Sequence, residues 1–169
     1  TLLLGKTIAL DPALGSLDVI SDVTITGLGA EVLTVDAGRN SRGFLVYSAS
    51  SALDVTIEGL TITGGLATDG GGIFTYSETL TVRNCSIQYN ESTNVGGGIF
   101  SGDGLLHIED CAVIGNHAGQ WGGGVAVDYG GPACLLNTTI SGNSANSHGG
   151  GFAAAVCSAE LVNCTVAAN

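Results

Sequence analysis

The chain has 169 residues, of which 44% are hydrophobic and 11% charged, and its formal net charge is −11. The apolar content excludes a disordered chain, and the 28 glycines lack the period of collagen and instead predict many tight turns. The acidity excludes nucleic acid and an anionic membrane as partners, and no apolar run reaches the length of a transmembrane segment.

Residues 1–169 are predicted to form a single domain, with irregular coils over residues 1–53 and a regular repeat over residues 54–169. Residues 23–28 (VTITGL) and 55–60 (VTIEGL) share an alternating pattern that predicts strands. Residues 1–10 are expected to start the stack. Because Thr1 is neither an initiator Met nor part of a signal peptide, the chain is expected to be a processed or excised piece of a longer protein.

Three markers recur in steps of 26 or 27 residues along the regular part of the chain. The first is a glycine triplet that ends at Gly72, Gly98, Gly124 and Gly151. The second consists of Cys85, Cys111, Thr138 and Cys164. The third consists of Asn90, Asn116, Asn143 and Asn169. Three markers that keep phase over four units indicate a solenoid.

Each unit predicts one coil of an all-β, right-handed parallel β-helix. In the first regular unit the alternating runs lie at residues 73–75, 80–82 and 86–88, and a six-residue step leads to the next glycines. About six coils of 26–27 residues, each rising about 4.8 Å, predict a rod about 30 Å long. One unit is a residue longer, and the insertion is expected in the loop at residues 129–132.

Stacked coils place equivalent side chains in columns along the axis. One inward aliphatic column is predicted to contain Ile87, Val113, Ile140 and Val166. Leu60 is predicted to join the column of the cysteine marker. The asparagine marker is interpreted as a structural corner that bonds to the backbone, and a row of ligand-binding amides is the alternative. The same interpretation applies to a second corner row, formed by Asn84, Asp110, Asn137 and Asn163.

The five cysteines leave several pairings open. Stacked neighbours such as Cys85 and Cys111 could form a disulfide, or they could remain buried thiols that behave as small apolar side chains. Cys134 and Cys157, one coil apart, are a second candidate pair. The sequence contains no C-x-x-C pair, so a zinc ribbon or a redox motif is not predicted.

Two short elements alternate along the repeat. The first is Gly-Gly-Ile at residues 97–99 and Gly-Gly-Val at 123–125, and the second ends in Asn at residues 87–90, 113–116 and 140–143. These units resemble the repeats of polymorphic outer-membrane proteins, although that family often has Phe where this chain has Ile or Val. The opening at residues 23–30 and 60–65 resembles the first coils of large secreted bacterial β-helix proteins. The resemblance implies a β-helix at the cell surface or outside the cell, with an adhesive or structural role.

The leading hypothesis is therefore a non-catalytic segment that has no cofactor and no catalytic residue. The alternative is a carbohydrate-active β-helix, lyase-like or hydrolase-like, whose active site lies elsewhere. The repeat forces no pair of facing carboxylates together, and the basic side chains do not share equivalent positions. These bases are Lys6, Arg39, Arg42 and Arg83. An ice-binding solenoid is the third hypothesis, but Gln88 and Ile114 interrupt its threonine rows.

One outward cluster contains side chains of the types that bind metals. His107, Cys134 and Glu160 are in register with Thr81, and Glu109 lies beside His107. The order of these residues does not suit a cysteine nucleophile, because Cys134 lies between the other two. The cluster is interpreted as part of a polar outer face, and no metal site is predicted.

The coil that contains Asn169 has no following coil in this sequence. The expected partners are the rest of a longer solenoid, or copies of the chain that stack head to tail into filaments. A host or environmental glycan or protein is the other partner considered.

Overall fold

The computed structural model describes residues 5–50 and 52–169, and within these ranges the chain forms 23 short strands and no helix. The described residues therefore include no helical segment that could cross a membrane. In chain order the strands are β1 (Lys6–Ala9), β2 (Leu17–Val19), β3 (Val23–Thr26), β4 (Leu33–Asp36), β5 (Phe44–Val46), β6 (Asp54–Glu58), β7 (Thr61–Thr63), β8 (Leu66–Ala67), β9 (Ile73–Thr75), β10 (Thr79–Arg83), β11 (Ser86–Gln88), β12 (Glu91–Ser92), β13 (Ile99–Ser101), β14 (Leu106–Glu109), β15 (Ala112–Ile114), β16 (His117–Ala118), β17 (Val125–Val127), β18 (Ala133–Leu136), β19 (Thr139–Ser141), β20 (Ser144–Ala145), β21 (Phe152–Ala154), β22 (Ala159–Val162) and β23 (Thr165–Ala167).

Four parallel sheets run along the axis, and each complete coil passes through them in the order I, II, III, IV. Sheet I contains β2, β5, β9, β13, β17 and β21, and sheet II contains β3, β6, β10, β14, β18 and β22. Sheet III contains β1, β4, β7, β11, β15, β19 and β23, and sheet IV contains β8, β12, β16 and β20. The predicted all-β parallel solenoid of about six coils is thus confirmed.

The predicted strand register is also confirmed. In sheet III, Ile87 pairs with Val113, Val113 with Ile140, and Ile140 with Val166. The first three of these side chains are fully buried. Leu60, Cys85 and Cys111 occupy the same core cluster, as the column analysis expected. The extra residue lies between β17 and β18, where the loop at residues 129–132 absorbs it.

Each regular coil has a fourth strand that the sequence analysis did not predict. The two-residue strands of sheet IV lie within the six-residue step and pack against the glycine triplets. A Cβ at Gly97 would lie 2.3 Å from the His117 carbonyl oxygen and 2.4 Å from that of Gly123. A strand of two residues is too short to show an alternating pattern, and its inward side chains, Ser92 and Ala118, are small and buried.

The marker asparagines form a buried hydrogen-bonded ladder. The Asn116 side chain donates to the Asn143 side-chain oxygen and to the Ile87 carbonyl, both at 2.9 Å. It accepts from the Asn90 backbone N–H at 2.9 Å and from the Asn90 side-chain amide at 3.0 Å. The side chains of Asn90 and Asn143 repeat these contacts. Each amide therefore ties its own coil to both neighbouring coils.

The second corner row has a different structural role. Asn84, Asp110, Asn137 and Asn163 have left-handed backbone angles, with φ between 49° and 53°. Asparagine and aspartate tolerate this region better than most residues do, and Gly59 holds the equivalent position one coil earlier. These residues make the sharp corner between sheets II and III.

We expect Ile140→Ala to lower the free energy of unfolding by about 2–4 kcal/mol, because it removes packing and leaves a cavity. Its neighbour Thr139 is exposed, so Thr139→Ala should change stability by no more than about 0.5 kcal/mol. Urea unfolding followed by circular dichroism would measure both. Equal losses would contradict the register.

We expect Asn116→Ala to cost roughly 3–5 kcal/mol, because it strands buried donors and acceptors in the coils on both sides. The matched control is Asn137→Gly, which keeps the left-handed corner and should cost less than about 1 kcal/mol. Thermal or urea unfolding of the two variants would test the ladder. Similar midpoints would show that the buried amides contribute little.

Candidate functional site

Two grooves run along the outside of the coils. The larger, the corner groove, has a volume of about 780 Å³ and lies where sheet II turns into sheet III. Asn84, Asp110 and Asn137 line it along the axis, and Glu31 and Gln88 add further polar groups. The residues that line it include no aromatic side chain.

The second groove, the aromatic groove, lies on the outer face of sheet I. Its floor is Phe100, one wall is the turn row that precedes sheet I, and the other wall is Asp128 and Tyr129 after β17. Of the nine aromatic residues in the chain, six lie on this face or in the turns that border it. They are Tyr47, Phe74, Tyr76, Phe100, Trp121 and Tyr129.

The outward direction of the side chains that form the floor follows from the alternation of side chains along a strand. Ile73 and Thr75 point into the core, so Phe74 between them points outward. The Phe74 and Phe100 rings stack with centroids 5.3 Å apart, and the Arg42 guanidinium lies 5.0 Å from the Phe74 centroid. Burial lowers the pKa of Arg42. The column then continues with Ala126, which is fully buried in a cluster against which Trp121 packs.

The turn row forms the first wall. Asp69 accepts hydrogen bonds through Oδ1 from the Asn94 side-chain amide at 2.8 Å and from the Val95 backbone N–H at 3.3 Å. Trp121 occupies the Val95 position one coil later and is bridged to Val95 and to His148. Two neighbouring turns therefore hold the Trp121 backbone, and its side chain packs against the cluster of Val95, Phe100 and Ala126.

The opposite wall is formed by the end of β17 and the inserted loop. Asp128 accepts a hydrogen bond from the Tyr129 backbone N–H at 2.8 Å. The Tyr129 ring meets Tyr76 edge to face, with centroids 5.6 Å apart. Between the two walls lies a cavity of about 190 Å³, and a second cavity of about 250 Å³ lies beside Trp121 and His148.

The aromatic groove brings together two carboxylates that the sequence analysis did not pair. Asp69 and Asp128 line the same cavity although they belong to different columns, one in the turns and one after sheet I. The repeat itself forces no facing carboxylates together, and these two share a cavity although they occupy positions that are not equivalent between coils. The sequence analysis also did not single out Trp121 and Tyr129. The equal positions of Phe74 and Phe100 in two successive coils were the signal that could have indicated an aromatic face.

The predicted outward cluster is in register but does not converge. His107 pairs with Cys134, and Cys134 with Glu160, along sheet II. His107 Nε2 lies 3.7 Å from a Glu109 carboxylate oxygen. Among residues 5–50 and 52–169, no group of three or more His, Cys, Asp or Glu side chains is arranged to hold a metal ion.

All five cysteines are free thiols. The Cys85 and Cys111 thiols are buried, and a hydrogen bond with Cys85 together with burial raises the pKa of Cys111. Cys157 packs against the core whereas Cys134 points outward from sheet II, so these two side chains lie on opposite sides of the wall. Neither disulfide considered from the sequence is formed.

A serine–histidine contact on sheet IV was not foreseen. His117 Nδ1 and Ser144 Oγ are 2.9 Å apart, and Glu91 precedes them in the same row. The Glu91 carboxylate is bound instead by Arg39, at 2.6 Å. The row therefore lacks the carboxylate–histidine bond that orients a catalytic histidine.

A family model for the right-handed β-helix region matches residues 17–169. The chain belongs to this right-handed β-helix family. No curated protein and no solved structure matches the chain.

In this β-helix a buried carboxylate fastens the loop at one end of the aromatic face. Glu78 is 1% exposed and accepts hydrogen bonds from the backbone N–H groups of Ser48, at 2.8 Å, and Leu53. The loop between them follows Tyr47, and Glu78 itself follows Tyr76. The carboxylate thus joins two consecutive coils beside the exposed tyrosines.

We expect Glu78→Ala to cost roughly 2–4 kcal/mol and to expose residues 48–53 to proteases, because two backbone N–H groups lose their acceptor. Glu109→Ala removes a carboxylate from a side chain that is 38% exposed and accepts no backbone hydrogen bond among the described residues, so it should change stability by no more than about 0.5 kcal/mol. Urea unfolding and limited proteolysis would measure these effects. A Glu78→Ala protein as resistant as the parent would contradict the clamp.

Proposed function

We propose that this β-helix is a non-catalytic, adhesive and structural segment of a protein located outside the cell or on a bacterial surface. The observation that carries the proposal is the aromatic groove, in which exposed rings and polar groups are held on a rigid stack of coils. Binding surfaces of this kind depend on rings whose position is fixed before the partner arrives.

The use of the basic side chains supports a non-catalytic role. Arg39 binds Glu91, Arg83 binds Glu58, and Arg42 packs on Phe74, so each of these three bases joins its own coil to another one. Hydrogen bonds from Thr26 and Arg83 lower the pKa of Glu58. A lyase needs a base that is free to take a proton from its substrate, and ion-paired or stacked guanidinium groups do not supply one.

The edge strands at the last coil are where we propose that a longer solenoid, or a second copy, would stack. Leu161, Val162 and Val166 are 39%, 38% and 49% exposed there. Parallel edge strands offer unpaired backbone groups to a following coil. A glycan or protein outside the cell would be the adhesive partner.

A carbohydrate-cleaving enzyme is the second candidate, because Asp69 and Asp128 line one cavity beside Trp121. Hydrolysis of a glycosidic bond by acid and base uses two carboxylates placed across the bond. This observation makes the aromatic groove the place to look for activity.

Ice binding is less well supported by sheet III. Ser86 and Ala112 interrupt the outward row, which otherwise consists of Thr7, Thr34, Thr61, Thr139 and Thr165. Thr61 is 6% exposed and donates its hydroxyl hydrogen to the Ala30 carbonyl, so it does not face solvent. A flat threonine face is therefore interrupted.

We expect soluble polysaccharides in the gel to slow the migration of the purified chain in affinity electrophoresis. We also expect the chain to release no new reducing ends from these polysaccharides. The same samples should be compared with Asp128→Asn, in the aromatic groove, and with Asp110→Asn, in the corner groove. Cleavage that Asp69→Asn or Asp128→Asn abolishes, while Asp110→Asn leaves it unchanged, would establish the enzyme instead.

A further inference from the structure

We infer that the aromatic groove binds an uncharged glycan, with one sugar ring lying on Trp121 and its hydroxyl groups donating to Asp69 and Asp128. This inference rests on the proposed adhesive function and names the ligand class for it. Three features of the groove carry the inference. They are an indole side chain that packs against the coils, two carboxylates that are held by hydrogen bonds, and the local charge.

Trp121 has the placement of a stacking platform. Its side chain is half-buried, and the bridges to Val95 and His148 hold the backbone on both sides. The cavities of about 190 and 250 Å³ share this ring as a wall. An aromatic face carries partial negative charge, and it attracts the C–H groups that cover one face of a sugar ring.

The two carboxylates of the groove only accept hydrogen bonds, whereas the side chains of Asn94, Gln120, Trp121 and Tyr129 can also donate. One oxygen of Asp69 is occupied by Asn94 and Val95, and one oxygen of Asp128 by the Tyr129 backbone. Among the described residues, the second oxygen of each carboxylate has no hydrogen-bond donor. An ionised carboxylate only accepts, so the ligand must bring donors. Sugar hydroxyl groups are donors that carry no charge.

The local charge selects against acidic sugars. The Arg42 guanidinium donates a hydrogen bond of 3.4 Å to the Asp69 backbone carbonyl oxygen, and its positive charge offsets that of the nearby Asp69 carboxylate in part. Asp128 remains, on a chain whose net charge is −11. A uronate would place a further negative charge beside these carboxylates, and such repulsion is strong in a partly buried groove.

The chain contains a single tryptophan, Trp121, so its intrinsic fluorescence reports on this groove directly. The whole chain would be titrated with cellohexaose, mannohexaose and maltohexaose as uncharged probes, and with hexagalacturonate as the acidic probe. We expect a saturable change of the emission with at least one uncharged probe and none with hexagalacturonate at the same concentration.

Single substitutions show which residues of the groove contact the glycan. Asp128→Asn should weaken it about tenfold, the loss expected for a hydrogen bond to a charged group. The matched control, Asp110→Asn, removes the same charge from the corner groove and should leave the affinity unchanged. Trp121→Ala should abolish binding, and Trp121→Phe, which keeps a ring and the packing, should retain weakened binding by calorimetry. Far-ultraviolet circular dichroism would establish that each variant is folded.

Three results would overturn the inference. They are no response to any uncharged probe, tighter binding of hexagalacturonate or of a protonated glucosamine hexamer, and equal weakening by Asp110→Asn and Asp128→Asn. Failure of the proposed function has a different signature, because cleavage of a bound uncharged probe would make the chain an enzyme while leaving its ligand class as inferred. Retention of polysaccharides through another surface would support adhesion and overturn the aromatic groove as its site.

Discussion

The buried amide ladder is the interaction on which the stack of coils depends. A parallel coil offers its backbone groups only along the axis, and a core of aliphatic side chains resists sliding weakly. Asn90, Asn116 and Asn143 resist it strongly, because each amide bonds at once to a backbone carbonyl of the preceding coil and to the side chain of the following one. The glycine triplets allow this by removing every Cβ that would collide with the neighbouring coil, such as one at Gly98.

With the register fixed from inside, the outer face is free to vary. Phe74 and Phe100 stack in one column, yet the same column continues with Ala126 at no cost to strand pairing. The space of the groove opens beside Phe100 and Trp121, where side chains from a strand, the turns and the inserted loop meet. A regular scaffold therefore carries an irregular groove.

The sequence predicted most of the features that repeat from coil to coil. The columns of Ile87, the asparagine marker and the insertion at residues 129–132 all follow from spacing alone. The fourth strand was missed because two residues carry no pattern. The aromatic groove was missed because it draws Phe100 from a strand, Trp121 from a turn and Tyr129 from a loop, so its parts share no periodic position. Binding or cleavage of a ligand depends on such non-repeating side chains, so it does not follow from the repeat period.

Changes in the inserted loop at residues 129–132 can alter the surface of the protein without altering its fold. It lies between sheets I and II and supplies Tyr129 to a wall of the aromatic groove, while the Pro132 carbonyl accepts a hydrogen bond from the Leu106 backbone N–H of the preceding coil. Lengthening the loop at its exposed residues, Tyr129 and Gly130, would reshape the wall and leave that contact in place. Exchanging a few residues of this loop could therefore change the ligand that such a solenoid binds. A designer could graft new segments at the same place.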